Sequence, residues 1–336
     1  MGYLVVLFSL FLVLSILVSL SMGYLSVPTP DILFIILHKL TGLFPDIRFD
    51  PTHLAVVWDI RLPRILTCVC VGAALALSGV IFQGILLNPL ADPYTLGVSA
   101  GAAFGASVAI LLNLGAAAVS VPLFAFAGAG ITLLFVISLS FSSQNPMAGL
   151  SSNNLILLGI IVAAILSAGI SFLKFVANEQ VSVIIFWLMG SFASRTWANA
   201  TAVFIFLLAG AAVALFYSRD LNLISLGPKS AASLGVNMKK TMFILLISGS
   251  LVAAVCVSVS GIIGFIGLLV PHMIRMISGP DNRKLIPLSM ISGGTLLLWA
   301  DTLTRAVLPH EIPIGVLTAL LGGPVFCWIF KKSRKG

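Results

Sequence analysis

Charged side chains are scarce in this sequence. Of its 336 residues only 8% are Asp, Glu, Lys or Arg, whereas 60% are hydrophobic, and the mean hydropathy is +1.17. A water-soluble domain needs about a quarter of its residues charged to cover its surface. The shortage excludes a soluble globular protein, and it indicates that lipid surrounds the chain.

Two further absences restrict the function. Every acidic residue lies at or near the end of an apolar run, whereas ion-coupled carriers commonly bury an ionisable group at mid-membrane. The chain has no GxxxxGK[ST] loop for the phosphates of ATP, and its apolar runs hold no cluster of polar catalytic residues. An ion-coupled secondary transporter and a membrane enzyme or scaffold therefore fit poorly, and energy for any transport should come from a separate subunit.

The cysteines do not indicate a metal site. Cys68, Cys70, Cys256 and Cys327 lie within apolar runs, and their spacing matches neither a zinc site nor a thioredoxin-type pair. We interpret them as small packing residues, and we expect the chain to bind no metal or cofactor.

The apolar runs predict an all-α polytopic membrane protein with about ten transmembrane helices, in one domain covering residues 1–336. Each crossing needs about 20 apolar residues, because backbone amides in the hydrocarbon must be paired within their own segment. The first run has no preceding basic residue and a poor cleavage site, so we expect a retained helix and not a signal peptide. The predicted spans are 4–22, 64–86, 95–112, 121–140, 153–173, 197–217, 241–259, 262–277, 285–301 and 314–330.

Basic residues set the predicted orientation. An even number of spans places both termini on one side, and the tail residues Lys331, Lys332, Arg334 and Lys335 mark that side as cytoplasmic. Eleven of the 18 Lys and Arg residues then lie on the cytoplasmic side. This bias and anionic lipid explain the net charge of +8, so no nucleic-acid partner is expected.

The motif Ile60-Arg-Leu-Pro-Arg64 lies where a predicted external loop enters the second span. Pro63 suits a first helical turn, because its missing amide would be unpaired there. Arg61 and Arg64 should project from roughly one face at the outer surface, where they can pair with carboxylates of a partner. The alternative is that both arginines extend to lipid headgroups.

The stretch 84–101 reads GILLNPLADPYTLGVSAG. Pro89 and Pro93 forbid a continuous helix, so we expect a tight reversal at the cytoplasmic face with Asn88 and Asp92 as caps. Such a reversal either forms a constriction or merely joins two helices.

The segment 221–237 reads LNLISLGPKSAASLGVN and is much less apolar than its surroundings. Ser225 or Gly227 can cap a short helix that begins at Pro228, and Gly235 can end it. We expect this helix in a cytoplasmic loop, where it either binds a soluble protein or lies on the lipid surface.

The stretch 260–275 reads SGIIGFIGLLVPHMIR. Gly261, Gly264 and Gly267 recur at helical spacing, which predicts close approach between helices. For His272 we expect a structural hydrogen bond and not metal ligation.

These stretches, in this order and spacing, resemble the permease family of ABC importers for iron siderophores, haem and cobalamin. The motifs are IRLPR, NPLADPYTLGVSAG, SLGPKSAASLGV, GFIGLLVPHMIR and EIPIGVLTALLGGPVF, and the resemblance covers residues 58–331. It implies a type II importer permease fold of ten helices, and a homodimer, in some members a heterodimer, with the pathway at its interface. The implied partners are two cytoplasmic ATPase subunits that use ATP and Mg²⁺, and an extracytoplasmic binding protein that delivers the cargo.

The resemblance also implies roles for individual residues. Three arginines match outer positions that dock the binding protein: Arg61, Arg64 and Arg305. Four residues match the cytoplasmic gate: Asn88, Leu90, Ser151 and Ser152. Seven residues of the predicted coupling loop 218–240 match a helix that sits in the ATPase: Ser225, Leu226, Gly227, Ala231, Leu234, Gly235 and Val236. Pro228-Lys229 departs from the family, which often has an acidic residue shortly after Leu-Gly.

A weak internal sequence similarity agrees with an inverted repeat. The stretch 78–86 recurs, with one insertion, as 260–269, in spans predicted to begin on opposite sides of the membrane. Paired inverted halves are common among transporters.

The expected cargo is a metal chelate that crosses the cytoplasmic (inner) membrane. The resemblance favours an iron(III) siderophore, followed by haem and cobalamin, and it leaves an oxyanion such as molybdate open.

Overall fold

The computed structural model describes residues 2–42, 50–115, 117–141, 152–306 and 311–333, and these residues form helices but no strands. The α-helices are α1 (Gly2–Ser21), α2 (Thr29–Thr41), α3 (Pro51–Ala55), α4 (Leu62–Ile85), α5 (Val98–Leu111), α6 (Ala117–Phe141), α7 (Ser152–Val176), α8 (Val181–Leu188), α9 (Trp197–Phe216), α10 (Ser218–Ile224), α11 (Pro228–Ser233), α12 (Met238–Ser260), α13 (Ile266–Ser278), α14 (Asn282–Ala306) and α15 (Ile314–Ser333). A π-helix at Val56–Arg61 joins α3 to α4, and 3₁₀-helices lie at Pro93–Leu96 and Asn178–Gln180.

All ten predicted spans coincide with apolar helices. Among the described residues, seven helices are long and apolar enough to cross a membrane: Gly2–Ser21, Pro51–Ile85, Ala117–Ser140, Ser152–Val176, Trp197–Phe216, Met238–Ser260 and Asn282–Ala306. Three shorter apolar helices match the remaining spans: Val98–Leu111, Ile266–Ser278 and Ile314–Ile329. The prediction of an all-α polytopic membrane protein is confirmed, because apolar runs and their interruptions decide the helices of a chain in lipid.

The loops gather at two opposite ends of the bundle. The end predicted to be cytoplasmic carries the loops 86–92, 217–237 and 279–281. The end predicted to be external carries the loops 22–28, 177–196 and 311–313. Side-chain bonds link groups within each end, from Asn222 to Asp281 at the first and from Arg64 of α4 to Glu311 at the second.

Helix α4 is the centre of the bundle, and nearly all of its residues are buried. A methyl group on Gly72 would overlap the carbonyl oxygen of Gly293 in α14, and one on Gly79 would overlap that of Gly267 in α13. The backbones therefore touch at these crossings, as small residues permit in membrane bundles. The close approach predicted for Gly267 is confirmed.

The helix break before α13 differs from the sequence expectation. Residues 261–265 are not helical, so α13 begins at Ile266 and not at residue 262. Gly261 has φ +72° and Phe265 has φ +68°. The helical spacing expected for Gly261 and Gly264 is therefore wrong, because the chain leaves the helix at Gly261, in a conformation that glycine adopts most readily.

The segment that follows α4 reaches deep into the bundle. Tyr94 Oη donates a hydrogen bond to the carbonyl oxygen of Ile263 at 2.8 Å. A methyl group on Gly267 would lie 3.3 Å from Pro93 and 2.9 Å from the carbonyl oxygen of Leu75, in the middle of α4. The predicted reversal lies at the predicted cytoplasmic end, but the segment that follows it extends further into the bundle than the sequence indicated. Irregular backbone is tolerated at this depth because protein, and not lipid, surrounds it.

Four α-helices are absent from the sequence prediction: α2, α3, α8 and α10. Helix α2 has 13 residues and α8 has 8, and both are shorter than the roughly 20 residues that define a span. Gly42, with φ +68°, ends α2, and Gly190, with φ +75°, follows α8. Helices α2 and α8 belong to the predicted external end.

Candidate functional site

Arg61 and Arg305 bind the C-terminal end of α1. The guanidinium of Arg61 donates hydrogen bonds to the carbonyl oxygens of Leu20, at 2.6 Å, and Leu25. Arg305, from α14, donates to the carbonyl oxygen of Met22 at 2.7 Å. The last carbonyl groups of a helix lack partners within it and attract cations. Both arginines therefore fix the end of α1 to the bundle.

Arg64 is held by two acidic residues. Its guanidinium lies 2.8 Å from the carboxylate of Asp301 and 2.9 Å from that of Glu311. The side chain of Asp301 is 1% exposed, whereas that of Glu311 is 48% exposed. Asp301 is therefore the buried counter-ion that Arg64 requires, and Glu311 completes the cluster from the loop. We name Arg61, Arg64, Asp301, Arg305 and Glu311 the external arginine network.

The expectation that Arg61 and Arg64 project freely at the outer surface is wrong. Only 4% of Arg61 and 9% of Arg64 is exposed, because carbonyl and carboxylate groups of the same chain supply their partners. The sequence analysis did not identify Asp301 as a site residue. Its position four residues before Arg305 on one helix could have indicated an ion pair. The docking role of Arg61, Arg64 and Arg305 stays a prediction.

Asn88 and Asp92 shape the segment after α4. The side chain of Asn88 accepts a hydrogen bond from the amide of Leu90 at 2.9 Å. Asp92 accepts from the amides of Tyr94 and Thr95 at 3.1 and 3.0 Å. The predicted capping is confirmed for Asp92, which precedes the 3₁₀-helix Pro93–Leu96, whereas Asn88 stabilises a turn and no helix begins after it. Burial raises the pKa of Asp92 to about 6, against the opposing effect of these hydrogen bonds.

A cavity of about 440 Å³ lies beside this segment at the predicted cytoplasmic end. Its walls come from the ends of α4 and α10 and from the starts of α7, α11 and α12, and they include Ser152 and Pro228. The structure thus brings the predicted gate residue Ser152 next to the predicted coupling loop. Asn88 and Leu90 are not among the lining residues, and Ser151 lies outside the described residues.

The short helix predicted in the coupling loop is present as α11. It begins at Pro228 and is preceded by Gly227, with φ +102°. Gly235, with φ +88°, follows it. These local predictions are confirmed, because proline suits the first helical turn and glycine suits the positive φ at both flanks.

Helix α11 is anchored to the bundle by an apolar cluster and is flanked by two exposed leucines. Ala231 and Val236 pack with Ile224 of α10 in a small apolar cluster. Leu226 and Leu234 are 63% and 59% exposed. These two exposed leucines flank α11, Leu226 before its first residue and Leu234 after its last, and they offer apolar surface that a groove of a partner would fit.

Asn222 joins α10 to the start of α14. Its amide nitrogen donates to the carboxylate of Asp281 at 2.8 Å, and its amide oxygen accepts from the backbone and side-chain nitrogens of Asn282, both at 2.8 Å. The first of these bonds lowers the pKa of Asp281. This contact was not predictable from the sequence, because 59 and 60 residues separate Asn222 from its partners. We name these three residues the Asn222 latch.

Gln83 is a polar residue within the buried part of α4. Its amide donates to the carbonyl oxygen of Leu268 at 3.1 Å and accepts from Arg275 at 3.1 Å, so it joins α4 to α13. On the same helix α13, Nδ1 of His272 is buried without a hydrogen-bond partner, and the ring packs edge-on against Phe326. The hydrogen bond predicted for His272 is therefore wrong at this atom.

Comparison with known proteins identifies the family. Residues 11–332 match the model of the FecCD transport family. The chain belongs to this family. This FecCD permease is therefore the membrane-spanning subunit of an ABC importer, as are the relatives with which it shares its length.

Two curated relatives and one solved structure resemble the permease over nearly all of its chain. The molybdate import system permease protein MolB of Haemophilus influenzae is 38% identical over 331 residues, which cover 98% of this chain and 95% of MolB. The Fe(3+) dicitrate transport system permease protein FecD of Escherichia coli is 35% identical over 319 residues, or 95% of each chain. An inward-facing structure assigned to the metal-chelate type of ABC transporter is 35% identical, has a TM-score of 0.86, and covers 99% of this chain and 100% of its own.

Three non-helical backbone segments of the FecCD permease meet near its predicted external end. The amide of Ser191 donates to the carbonyl oxygen of Ser260 at 2.8 Å, and that of Ile314 donates to Gly190 at 3.2 Å. A methyl group on Gly315 would overlap neighbouring carbonyl oxygens. The segments join the end of α8, the end of α12 and the start of α15. Sequence reasoning missed this contact, although Gly315 lies in the motif EIPIG.

Proposed function

We propose that this permease works in the cytoplasmic membrane as a homodimer, with both termini in the cytoplasm. Two ATPase subunits bind its cytoplasmic end, and a substrate-binding protein docks at its external end. The permease binds no cofactor or metal of its own, and the ATPase subunits use ATP with Mg²⁺. The observation that carries the proposal is α11, a short helix fixed to the bundle by an apolar cluster and flanked by the exposed Leu226 and Leu234.

Helix α11 supports coupling to an ATPase in two ways. Burying an exposed leucine in a groove of a partner contributes about 1.5–3 kcal/mol, so Leu226 and Leu234 together supply a firm contact. Ala231 and Val236 transmit a displacement of α11 to α10 through their packing on Ile224. The remaining predicted coupling residues, Ser225, Gly227 and Gly235, shape the loop around the helix.

The gate at the cytoplasmic end is assigned to Asn88, Leu90, Ser151 and Ser152. The cavity of about 440 Å³ lies between the start of α7, which carries Ser152, and the coupling loop. Empty space of this size lets α11 move without first displacing the packed core. Leu90 is exposed, which makes it available to a second copy across the pathway.

The binding protein is proposed to dock on the external arginine network. Glu311 is the exposed member of the network, and an exposed ion pair contributes little stability of its own. An acidic residue of the binding protein is therefore able to replace Glu311 beside Arg64. Arg61 and Arg305 contribute to docking indirectly, because their hydrogen bonds hold the end of α1 in place.

The proposed cargo is an intact metal chelate, with an iron(III) siderophore ahead of haem and cobalamin. The FecD relative is named for Fe(3+) dicitrate and the MolB relative for molybdate, so both classes of cargo enter the test. Within the described spans, Arg64 and Asp301 neutralise each other. A pathway with neutral walls suits a bulky complex that must be released again.

Reconstitution tests the proposal. We expect proteoliposomes with permease and ATPase subunits to accumulate radiolabelled ferric siderophore from its binding protein only when ATP is supplied. The cargo is identified by comparing the affinity of the binding protein for the siderophore with its affinities for haem, cobalamin and molybdate. Uphill uptake by the permease alone under a proton gradient would contradict the proposal and would favour a secondary transporter.

A matched pair of variants tests the role of α11. We expect Leu226→Ser combined with Leu234→Ser to abolish copurification of the ATPase subunit, because the apolar contact is lost. Leu40→Ser is the control, since Leu40 is 71% exposed but lies on α2 at the opposite end. Equal ATPase binding by all variants would contradict the assignment of α11.

A further inference from the structure

We propose that α4 and α14 move as one body, and that Asn222 is the positioning residue that connects this body to the coupling loop. The inference rests on the proposed function. It supplies a route by which a displacement of α11 at the cytoplasmic end reaches the external arginine network.

Direct backbone contact joins α4 to α14 in the middle of the bundle. Methyl groups on Gly72 and Gly293 would each overlap the carbonyl oxygen of the other residue. A methyl group on Gly294 would lie 2.9 Å from the carbonyl oxygen of Val69. With no layer of side chains between them, the two helices cannot slide past each other without a backbone collision. We call these two helices the α4–α14 pair.

The pair is also locked at its external end. Arg64 of α4 donates to Asp301 of α14 through Nε and Nη2, with the shorter bond at 2.8 Å. Arg61 immediately precedes α4 in the chain, and Arg305 belongs to α14. Every member of the external arginine network except Glu311 therefore moves with the α4–α14 pair.

Two adjacent residues of α10 contact the cytoplasmic end of the pair. Asn222 bonds to Asn282, the first residue of α14, and to Asp281 before it. Leu221 packs on α4, where a methyl group on Gly84 would lie 2.8 Å from its side chain. Only the first of these contacts is a set of directional bonds, so Asn222 sets the position of α10 along the pair.

Helix α14 spans the distance between the two networks. From Asn282 to Asp301 it rises by about 29 Å at about 1.5 Å per residue. Pro287 removes one backbone hydrogen bond in the second turn, and the helix continues without interruption to Ala306. If the Asn222 latch is displaced, α14 therefore moves as a whole, and Asp301 and Arg305 move with it.

An amide is the side chain that this latch requires. Asn222 must donate to a carboxylate and accept from two N–H groups at the same time, and a neutral amide does both. A carboxylate at this position would keep the bonds from Asn282 but would face the carboxylate of Asp281 at hydrogen-bond distance. That repulsion makes Asn222→Asp a severe yet nearly isosteric change, and Asp281→Asn is its natural compensation.

The neighbouring residue Asp220 provides a matched comparison. It accepts a hydrogen bond from Thr241 Oγ1 at 3.1 Å, which ties α10 to the start of α12. Helix α12 carries no member of the external arginine network. Thr241→Val therefore removes a bond of the same α10 helix without touching the route through α14.

The experiment measures ATP hydrolysis by the full transporter in lipid nanodiscs, with and without cargo-loaded binding protein. We expect Asn222→Asp to lower the stimulation by binding protein about 3-fold to 10-fold, within the range by which single residues alter coupling between sites. We expect the double variant Asn222→Asp with Asp281→Asn to recover most of it, because donor and acceptor are exchanged. Thr241→Val should retain the wild-type stimulation.

The outcomes separate the two proposals. Wild-type stimulation in Asn222→Asp, equal losses in Thr241→Val, or no recovery in the double variant would overturn the inference and leave the proposed function intact. A wild-type transporter that assembles but shows no stimulation would overturn the proposed function itself.

A second measurement covers the case in which Asn222→Asp fails to assemble. Hydrogen exchange of residues 300–306 is compared in wild type and Asn222→Ala, with and without nucleotide on the ATPase. We expect nucleotide to alter exchange at these external residues in wild type, and much less in Asn222→Ala. Identical responses of the two proteins would overturn the inference.

Discussion

Removing Asp301 takes the buried counter-ion away from Arg64. We expect Asp301→Ala to lower the free energy of unfolding by about 3–5 kcal/mol, since a buried charge is left without its main partner. Thermal or denaturant unfolding of the purified permease measures the loss. Glu311→Ala is the control, and because Glu311 is half-exposed, its loss should cost below about 1 kcal/mol. Equal costs would show that Asp301 is not the structural counter-ion.

Asp92 gives the stability of the permease a defined pH dependence. Burial raises the pKa of Asp92 to about 6, so the folded state holds this proton more tightly than the unfolded state. Wild type should therefore lose stability as the pH rises from about 4 to about 6, with no further change above that. Asp92→Asn retains an acceptor for the amides of Tyr94 and Thr95 and does not ionise.

We expect Asp92→Asn to exceed wild type in stability at pH 8 by on the order of 1–2 kcal/mol, after discounting for partial exposure. Near pH 4 the two proteins should be equal. Thermal unfolding at several pH values in one detergent measures the difference. A difference that does not change with pH would contradict the assigned shift.

The residues predictable from sequence are those whose partners are local. Asn88 and Asp92 accept hydrogen bonds from amides within three residues of themselves, and Pro228 begins its helix for reasons internal to that turn. Asn222 and Gln83 gave no signal, because their partners are brought near only by the folded bundle. Local hydrogen bonds and helix starts can be predicted from neighbouring residues in the sequence. A long-range hydrogen bond cannot, because it depends on the packing of other helices.

At the scale of helices, direct backbone contact between α4 and α13 is testable at one glycine. A methyl group on Gly79 would overlap the carbonyl oxygen of Gly267, whereas no atom lies within 4 Å of a methyl group on Gly264. We expect Gly79→Ala to cost about 1–3 kcal/mol or to prevent folding. Gly264→Ala should stay within about 0.5 kcal/mol of wild type. Unfolding of detergent-solubilised protein distinguishes them, and equal stabilities would refute the contact.

The membrane-spanning helices were predictable from the sequence, but the breaks between them were less so. A run of 20 apolar residues has one stable form in lipid, so the ten spans were predictable from hydropathy. The break at 261–265 was not, because its backbone is stabilised by remote groups such as the hydroxyl of Tyr94. Helix α8 was missed because its 8 residues are too few for a span; its end is held by backbone bonds to the starts and ends of other helices.

At the scale of the whole molecule, the two ends of the bundle carry different chemistry. At the predicted external end Arg61, Arg64 and Arg305 are bound by groups of the same chain. The predicted cytoplasmic end presents the exposed leucines that flank α11. Coupling, gating and docking are assigned to these ends through a single orientation. That orientation follows from the distribution of Lys and Arg, which biases insertion without depending on the folded structure.

Cysteine labelling tests the orientation directly. Ser233 on α11 and Thr52 on α3 are both exposed and lie at opposite ends. In a background without the four native cysteines, we expect a membrane-impermeant maleimide to label Thr52→Cys in intact cells, but Ser233→Cys only after the membrane is opened. The opposite pattern would place α11 outside the cell, where no ATP is available to an ATPase. Because one orientation underlies all three assignments, that pattern would remove coupling, gate and docking roles together.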